Sequence, residues 1–258
     1  MNKVSIPCLR SFLPPRRDQT AFTRLELVVV LACLSLLVGP LIPLFAHTQR
    51  AGERSVCVNN LRLVGRAFQV WGKDHENKLP WRTPVAEGGG YGSPRPGAAW
   101  REFTWMTNEL ITPRILACPS DSAVRVARNF SDNGAGGYLN EGYRDNATSY
   151  FVGTDAGVID IVNAETERSP LHFTSGDRNL QPDLSGQLCS AGFNNVVCIF
   201  TPQNIKYSGK AVWTPSLHGR IGNVLLNDGG VLQLTSATFQ EALRTSDGSG
   251  GTLHLLVP

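Results

Sequence analysis

The sequence is constrained most by an uncharged apolar run of 19 residues at 27–45, in which Ser35 is the only clearly polar side chain. As an α-helix, a run of this length extends about 28 Å, close to the hydrocarbon thickness of a bilayer. Buried helices of soluble proteins rarely stay free of charge for so long, so a core helix is the weaker alternative. The run therefore predicts a single transmembrane segment at 27–45, with a charged residue, Glu26, immediately before it.

The distribution of charge gives this segment an orientation. The net charge of +3 is concentrated in residues 1–21, where Lys3, Arg10, Arg16 and Arg17 outnumber Asp18. The remainder is formally neutral, so it offers no basic surface for nucleic acid, which is not an expected partner. Positive charge before the run, and none directly after it, predicts a cytoplasmic N-terminus and a head on the far side of the membrane.

A second helical pattern follows the apolar run. Five apolar residues at spacings of 4, 3, 4 and 3 lie on one helical face: Cys57, Leu61, Val64, Phe68 and Trp71. We therefore expect one long helix over 22–72, with a membrane half and an amphipathic half. Gly39, Pro40 and Pro43 predict a kink or a locally melted turn within it, and Pro80 ends the helical region.

Residues 73–258 have the composition of a loop-rich head with short strands. The segments "TSYFVGT", "GVIDIV", "LHFTSG" and "NVVCIF" predict strands, and "REFTWMTNELI" predicts a brief helix. Asp228-Gly229, between two apolar runs, predicts a tight hairpin turn, and "SATFQEALRT" predicts a helix capped by Ser236. The expected fold class is α+β, a long N-terminal helix packed on a loop-rich antiparallel sheet.

The start of the chain resembles a known processing signal. "AFTRLEL" is similar to the prepilin motif, a small residue followed by Phe-Thr, Leu and Glu and then the apolar helix. The resemblance implies a pilin-like fold and cleavage between Ala21 and Phe22 by prepilin peptidase, which methylates the new N-terminus. It divides the chain into a leader (1–21), a long helix (22–72) and a periplasmic head (73–258). Pro43 then occupies the place of the family's helix-loosening proline.

Later segments extend the resemblance. "CVNNLR", "LACPSD", "SGDRNL" and the element that runs from His218 to Asp228-Gly229 are similar to segments of pseudopilin-like proteins abundant in Planctomycetes and Verrucomicrobia. Residues 81–113 match no such segment.

The resemblance implies a structural role and no enzymatic activity or cofactor. The chain would be a single-pass inner-membrane pseudopilin of a type II secretion or type IV pilus-like fibre. Its partners would be the membrane, prepilin peptidase, other pseudopilin subunits and the assembly platform. Glu26 would pair with the Phe22 ammonium of a neighbouring subunit, since a lone carboxylate in lipid is costly. A shallow Glu26 that reaches the interface is the alternative.

Two other function classes stay open on sequence grounds. A signal-anchored periplasmic binding module, for carbohydrate or another ligand, would use exposed aromatic residues. The candidates are Trp81, Tyr91, Trp100, Trp105 and Trp213. A tethered hydrolase is disfavoured, because the sequence has no G-x-S-x-G nucleophile motif.

Four cysteines follow the predicted membrane segment: Cys57, Cys118, Cys189 and Cys198. An even number in an oxidising compartment favours two disulfides, of three possible connectivities. We expect Cys57–Cys118, which joins the helix to the head, and Cys189–Cys198, which closes a local loop. Free buried thiols are the alternative. A zinc site is disfavoured because no C-x2-C spacing is present.

The remaining polar candidates are read as structural. His218 and Asp228 suggest a ligand pair or half of a catalytic relay, but a hydrogen-bonded histidine and a turn aspartate are the simpler interpretation. Asp177 beside Arg178 suggests an ion pair or a turn. Calcium binding through Asp177, Asp183 or Asp228 is disfavoured, because the sequence has no compact acidic loop that would supply the oxygen ligands.

Overall fold

The computed structural model describes residues 23–38, 41–92, 98–154, 156, 173–181, 196–200, 212–245 and 252–258. For 41–50, 196–200, 243–245 and 252–254 only the backbone is described. The chain divides into two compact units, Met1–Thr48 and Gln49–Pro258. The described fold is mixed, with helices and an antiparallel sheet, as the sequence predicted at the level of class.

The N-terminal helical region comprises two described helices, α1 (Arg24–Val38) and α2 (Leu41–Asp74). Residues 39 and 40, where the sequence predicts a kink or a locally melted turn, lie outside the described residues, so the continuity of the helix predicted over 22–72 is not tested. Pro43 lies in the first turn of α2, where its missing backbone donor is not needed. Within the described part of the chain, no helix combines the length and apolarity needed to cross a bilayer.

The amphipathic half of the prediction is confirmed in α2. All five stripe residues, Cys57, Leu61, Val64, Phe68 and Trp71, are at most 5% exposed. The helix ends at Asp74, and Glu76 and Asn77 follow in the left-handed backbone conformation. The Asn77 amide donates to the Gly72 carbonyl at 2.7 Å, which satisfies an acceptor at the end of the helix.

The other helices are short. They are α3 (Ala99–Thr104), α4 (Thr107–Leu110) and α5 (Ser236–Thr245), with 3-10 helices at Pro80–Arg82, Val85–Glu87, Pro113–Leu116 and Arg144–Ala147. The single helix predicted from "REFTWMTNELI" is thus two. In α5, Thr235 rather than Ser236 provides the cap, since Thr235 Oγ1 accepts from the Thr238 amide at 3.2 Å. Ser236 Oγ accepts instead from the Trp213 amide.

Eight strands are described: β1 (Tyr150–Gly153), β2 (Phe173–Asp177), β3 (Leu180–Gln181), β4 (Val196–Phe200), β5 (Val212–Trp213), β6 (Ile221–Leu226), β7 (Val231–Thr235) and β8 (Thr252–Leu256). The main sheet has the order β4-β8-β1-β2-β6-β7, and β3 pairs with β5. Its pairs are antiparallel. The strands predicted at β1, β2 and β4 are confirmed, the one at "GVIDIV" lies outside the described residues, and β8 was not predicted.

The predicted hairpin is confirmed with a longer loop. The Leu226 amide donates to the Gly230 carbonyl at 2.8 Å, so three residues lie between the last bonded pair. Only Gly229 in this loop has a positive φ, at 87°. A type I turn followed by one left-handed glycine explains both features. A two-residue turn of type I′ would need two residues with a positive φ.

The sheet is buried on both faces by different elements. Alternate residues of β1 separate accordingly, with Tyr150 and Val152 in the core cluster that contains the α2 stripe and Phe151 in the cluster of α5. In the second cluster, Phe239 of α5 packs on Phe173 at 5.3 Å between ring centroids. The two-residue side-chain period of a strand thus assigns neighbours to opposite cores.

Candidate functional site

The predicted disulfide between Cys57 and Cys118 is present and fully buried. Cys57 lies on the buried stripe of α2, and Cys118 follows the 3-10 helix Pro113–Leu116. Their Cα atoms are 5.1 Å apart. One turn further along α2, Asn60 Nδ2 donates to the Ala117 carbonyl at 3.2 Å. The α2 helix is therefore joined to the loop both covalently and by a hydrogen bond.

The second predicted disulfide is not tested. Cys189 lies outside the described residues, and Cys198 belongs to β4, where only the backbone is described. Of the other described cysteines, Cys33 on α1 is a free, exposed thiol.

His218 lies against the disulfide. Its Nε2 atom is 3.4 Å from Cys118 Sγ and also 3.4 Å from Asp177 Oδ2. Arg54 of α2 donates to the His218 carbonyl at 2.9 Å, which fixes the loop on the helix. The suggested partner Asp228 lies instead in the β6–β7 turn, where its Oδ1 accepts from the Gly230 amide. His218 is thus a buried histidine within a polar cluster, as the simpler interpretation held, with a different carboxylate beside it.

Asp177 and Arg178 do not pair with each other, so the ion-pair interpretation was wrong, whereas the turn interpretation is confirmed by the turn at 178–179. Asp177 Oδ2 accepts from the backbone and side-chain nitrogens of Asn223 at 2.7 and 2.9 Å. Arg178 Nε contacts Asp121 Oδ2 at 2.8 Å. Asp177 is the last residue of β2 and Arg178 lies in the turn that follows, so the two neighbours have separate partners.

Asp121 extends this network to the disulfide. Ser149 Oγ donates to Asp121 Oδ2 at 2.8 Å and accepts from the Cys118 amide at 3.0 Å. The segments "CVNNLR", "LACPSD" and "SGDRNL" and the element that begins at His218 therefore meet at one buried place. We call this the motif cluster: Cys57, Asn60, Cys118, Asp121, Asp177, Arg178 and His218.

Burial determines the charges at the centre of the cluster. It raises the pKa of Asp177 to about 7 against the two hydrogen bonds from Asn223, and it lowers the pKa of His218 to about 4. At neutral pH His218 is therefore a neutral imidazole, and its contact with Asp177 is not an ion pair. Asp177 Oδ1 is buried without a hydrogen-bond partner among the described residues.

The cluster contains metal-binding side chains. In the described residues, one group of three or more possible ligands lies within 4.8 Å of one another: Cys57, Cys118 and His218. The two sulfurs bind each other in the oxidised form. The calcium suggestion gains no support, since Asp177 faces His218 and Asn223, Asp228 lies in the exposed turn, and Asp183 is outside the described residues.

The residues of the predicted processing site are partly described. Ala21 and Phe22 lie outside the described residues, and Pro43 is known by its backbone alone. Glu26 forms a reciprocal cap with Thr23: Glu26 Oε2 accepts from the Thr23 amide at 2.9 Å, and Thr23 Oγ1 accepts from the Glu26 amide at 3.2 Å. This capping box gives the carboxylate a local role that sequence reasoning missed, although the T-R-L-E spacing carries its signal.

The aromatic residues of the binding-module alternative are mostly inside the head. Trp81 and Trp213 are buried, Trp100 and Trp105 are half-buried, and Tyr91 is 61% exposed. Trp100 lies between the guanidinium groups of Arg101 and Arg144, at 5.5 and 4.9 Å from the ring centroid.

Sequence reasoning also missed Glu102, which is buried on α3 with no hydrogen-bond partner for Oε2 among the described residues. Burial raises its pKa to about 7.

Comparison with protein-family models, with curated proteins and with solved structures finds no match to this chain.

Proposed function

We propose that this chain is a pseudopilin-like structural subunit of a type II secretion or type IV pilus-like fibre. The observation that carries the proposal is the start of α1, where a capped carboxylate, Glu26, lies in the first turn of a helix with no buried residue. Large apolar side chains of α1 such as Leu25 and Leu36 are each 77% exposed. So much exposed apolar surface calls for lipid or for the helices of other subunits.

The cap is compatible with the proposed pairing between subunits. The carboxylate at the third helical position accepts from Thr23 through Oε2. A carboxylate has two oxygens and several lone pairs, so Glu26 retains capacity for the Phe22 ammonium of a neighbouring subunit once the leader is removed. A charged pair in apolar surroundings then fixes the register between helices.

The head supplies the mechanical attachment. The Cys57–Cys118 disulfide and the Asn60 hydrogen bond join α2 to the loop before β1. The disulfide of the motif cluster therefore transmits force applied along α2 to the head. A disulfide also suits the oxidising periplasm in which the proposal places the head.

Processing is the first test. The full-length precursor is co-expressed with prepilin peptidase, and the membrane-extracted chain is analysed by intact mass and N-terminal sequencing. The expected product begins at Phe22 and carries one methyl group. Recovery of Met1 as the N-terminus, with an authentic prepilin cleaved in the same cells, would contradict the proposal.

Substitutions of Glu26 separate the cap from the pairing. Glutamine retains the capping interaction but carries no charge, whereas alanine loses both. If the charge pairs subunits, Glu26→Gln and Glu26→Ala both abolish subunit cross-linking while membrane extraction stays unchanged. If glutamine supports cross-linking as well as glutamate does, Glu26 is only a helix cap.

A further inference from the structure

We propose that the reduced form of this protein binds Zn²⁺ through Cys57, Cys118 and His218, and that the Asp177 carboxylate, which contacts His218 Nε2 at 3.4 Å, moves onto the ion as the fourth ligand when the disulfide opens. The proposal concerns the motif cluster alone and does not depend on assembly into a fibre. In the oxidised protein the cluster holds a disulfide, so metal binding and disulfide formation exclude each other.

The distances around His218 favour this geometry. A tetrahedral zinc ion has Zn–S bonds of about 2.3 Å and Zn–N and Zn–O bonds of about 2.0 Å. Two ligands of one ion then lie about 3.5 Å apart for nitrogen and sulfur and about 3.3 Å apart for nitrogen and oxygen. His218 Nε2 is 3.4 Å from both Cys118 Sγ and Asp177 Oδ2, so the same nitrogen faces both partners at ligand-to-ligand separations.

Asp177 provides the independent indication of a missing partner. Its side chain is completely buried, and its Oδ1 has no hydrogen-bond partner among the described residues. The other oxygen accepts two hydrogen bonds from Asn223, the kind of outer contact that holds a ligating carboxylate in place. The oxygen that faces His218 is Oδ2, so a cation bound at His218 Nε2 would reach the unpartnered Oδ1 after a rotation of the carboxylate.

The donor set and the charge favour zinc. Two thiolates, one imidazole and one carboxylate suit Zn²⁺, which prefers nitrogen and sulfur ligands in a tetrahedron. The liganded ion would carry a net charge of −1, because three anionic ligands surround a dication. Arg54, which donates to the His218 carbonyl, supplies a neighbouring positive charge.

Metal binding requires the disulfide to open. A dithiol protein or a phosphine reduces the S–S bond with two electrons, and the sulfurs take up two protons. The dithiol becomes a disulfide and supplies the two protons, whereas the phosphine takes an oxygen atom from water to become its oxide, and that water supplies the two protons. On binding Zn²⁺ the two thiols release their protons to solvent and coordinate as thiolates. A cleft of about 330 Å³, lined by Cys118, Pro119 and Val56, provides an approach to this place.

The test uses cobalt as a spectroscopic substitute for zinc. The full chain in detergent, with its other cysteines replaced by serine (Cys8, Cys33, Cys189 and Cys198), is reduced anaerobically with a phosphine and titrated with Co²⁺. We expect one equivalent to give thiolate-to-cobalt charge transfer and the visible bands of a tetrahedral site. One equivalent of Zn²⁺ should remove both. The oxidised chain should show neither.

Matched variants assign the ligands. His218→Gln should weaken Co²⁺ binding at least tenfold, whereas His75→Gln, which alters a ring stacked on Trp71, should leave it unchanged. Asp177→Asn should shift the visible bands. The proposal is overturned if the reduced chain binds no Co²⁺, if Zn²⁺ does not displace it, or if His218→Gln binds as tightly as the parent.

Discussion

The helices α1 and α2 differ in how their apolar residues are distributed, and the difference shows what each sequence pattern determines. Apolar residues of α1 lie on all sides, and none of its side chains is buried. Those of α2 recur on one face, and this face is buried in the head. A periodic stripe identifies a partner within the same chain, whereas uniform apolarity requires a partner outside it. Equivalent substitutions in α1 and in the head test this contrast.

The cysteines should give the largest difference. We expect the double substitution Cys57→Ser/Cys118→Ser to lower the free energy of unfolding of the head by about 4 kcal/mol, because the closed loop spans 61 residues. Cys33→Ser in α1 should leave it unchanged, since Cys33 is a free, exposed thiol. Urea unfolding in detergent, followed by near-ultraviolet circular dichroism, measures both. Equal changes in the free energy of unfolding of the head would contradict the difference between the buried disulfide and the exposed thiol.

Leucine truncation should give the next effect. Leu61 is completely buried, so Leu61→Ala should cost the head about 3 kcal/mol through lost burial and the cavity that remains. Leu36, 77% exposed in α1, should tolerate the same change without loss of head stability. The same urea experiment checks this pair. A loss below about 1 kcal/mol for Leu61→Ala would mean that the stripe does not support the head.

The glutamates should differ in pH dependence. The pKa of Glu102 is raised by burial from 4.5 to about 7, so between these values the folded head holds a proton that the unfolded chain has released. Stability should therefore fall as pH rises through this window. Glu102→Gln should remove the part of this slope that Glu102 contributes, leaving the part that comes from the raised pKa of Asp177, and should stabilise the head by about 3 kcal/mol at pH 8, with little effect at pH 4.5.

Glu26→Gln is the matched control for Glu102. It should not alter the pH dependence of the head, because Glu26 is exposed and belongs to the other unit. Thermal unfolding measured from pH 4.5 to 8 distinguishes the two variants. An unchanged slope in Glu102→Gln would assign the pH dependence of the head to other groups, Asp177 first among them.

The helix caps should give the smallest difference. Thr235 caps α5 inside the head, and Thr23 caps α1. Thr235→Ala should lower the stability of the head by about 1 kcal/mol. Thr23→Ala should leave it unchanged but accelerate amide hydrogen exchange in the first turn of α1 about fivefold. Faster exchange in α1 with Thr235→Ala would instead show coupling between the two units.

Local sequence patterns predicted the helices and strands whose structure depends on the type and spacing of their own residues. The stripe of α2 fixed which face is buried, and Cys57 on that face has a disulfide partner in Cys118. The β-branched and aromatic segments at β1, β2 and β4 gave strands. In these cases the relevant contacts follow from helix or strand period.

Other features depend on partners far away in sequence. Nothing beside Asp177 indicates that it binds Asn223 rather than Arg178, because sheet register determines that contact. The burial of Trp213 under α5 likewise depends on the tertiary fold. Strand β8 is as long as β2 and β4, but its place between β4 and β1 is a long-range contact that has no local signal. The capping interaction of Glu26 did have a local signal, the T-R-L-E spacing, which the sequence reasoning did not use.

The position of β8 has a consequence for the order in which the molecule forms. Strand β4 joins the main sheet only through β8, which lies between β4 and β1. Until residues 252–256 are synthesised, β4 therefore lacks its neighbour and one margin of β1 is bare. A nascent chain at that stage exposes two open strand margins, which are sites for self-association until β8 is added.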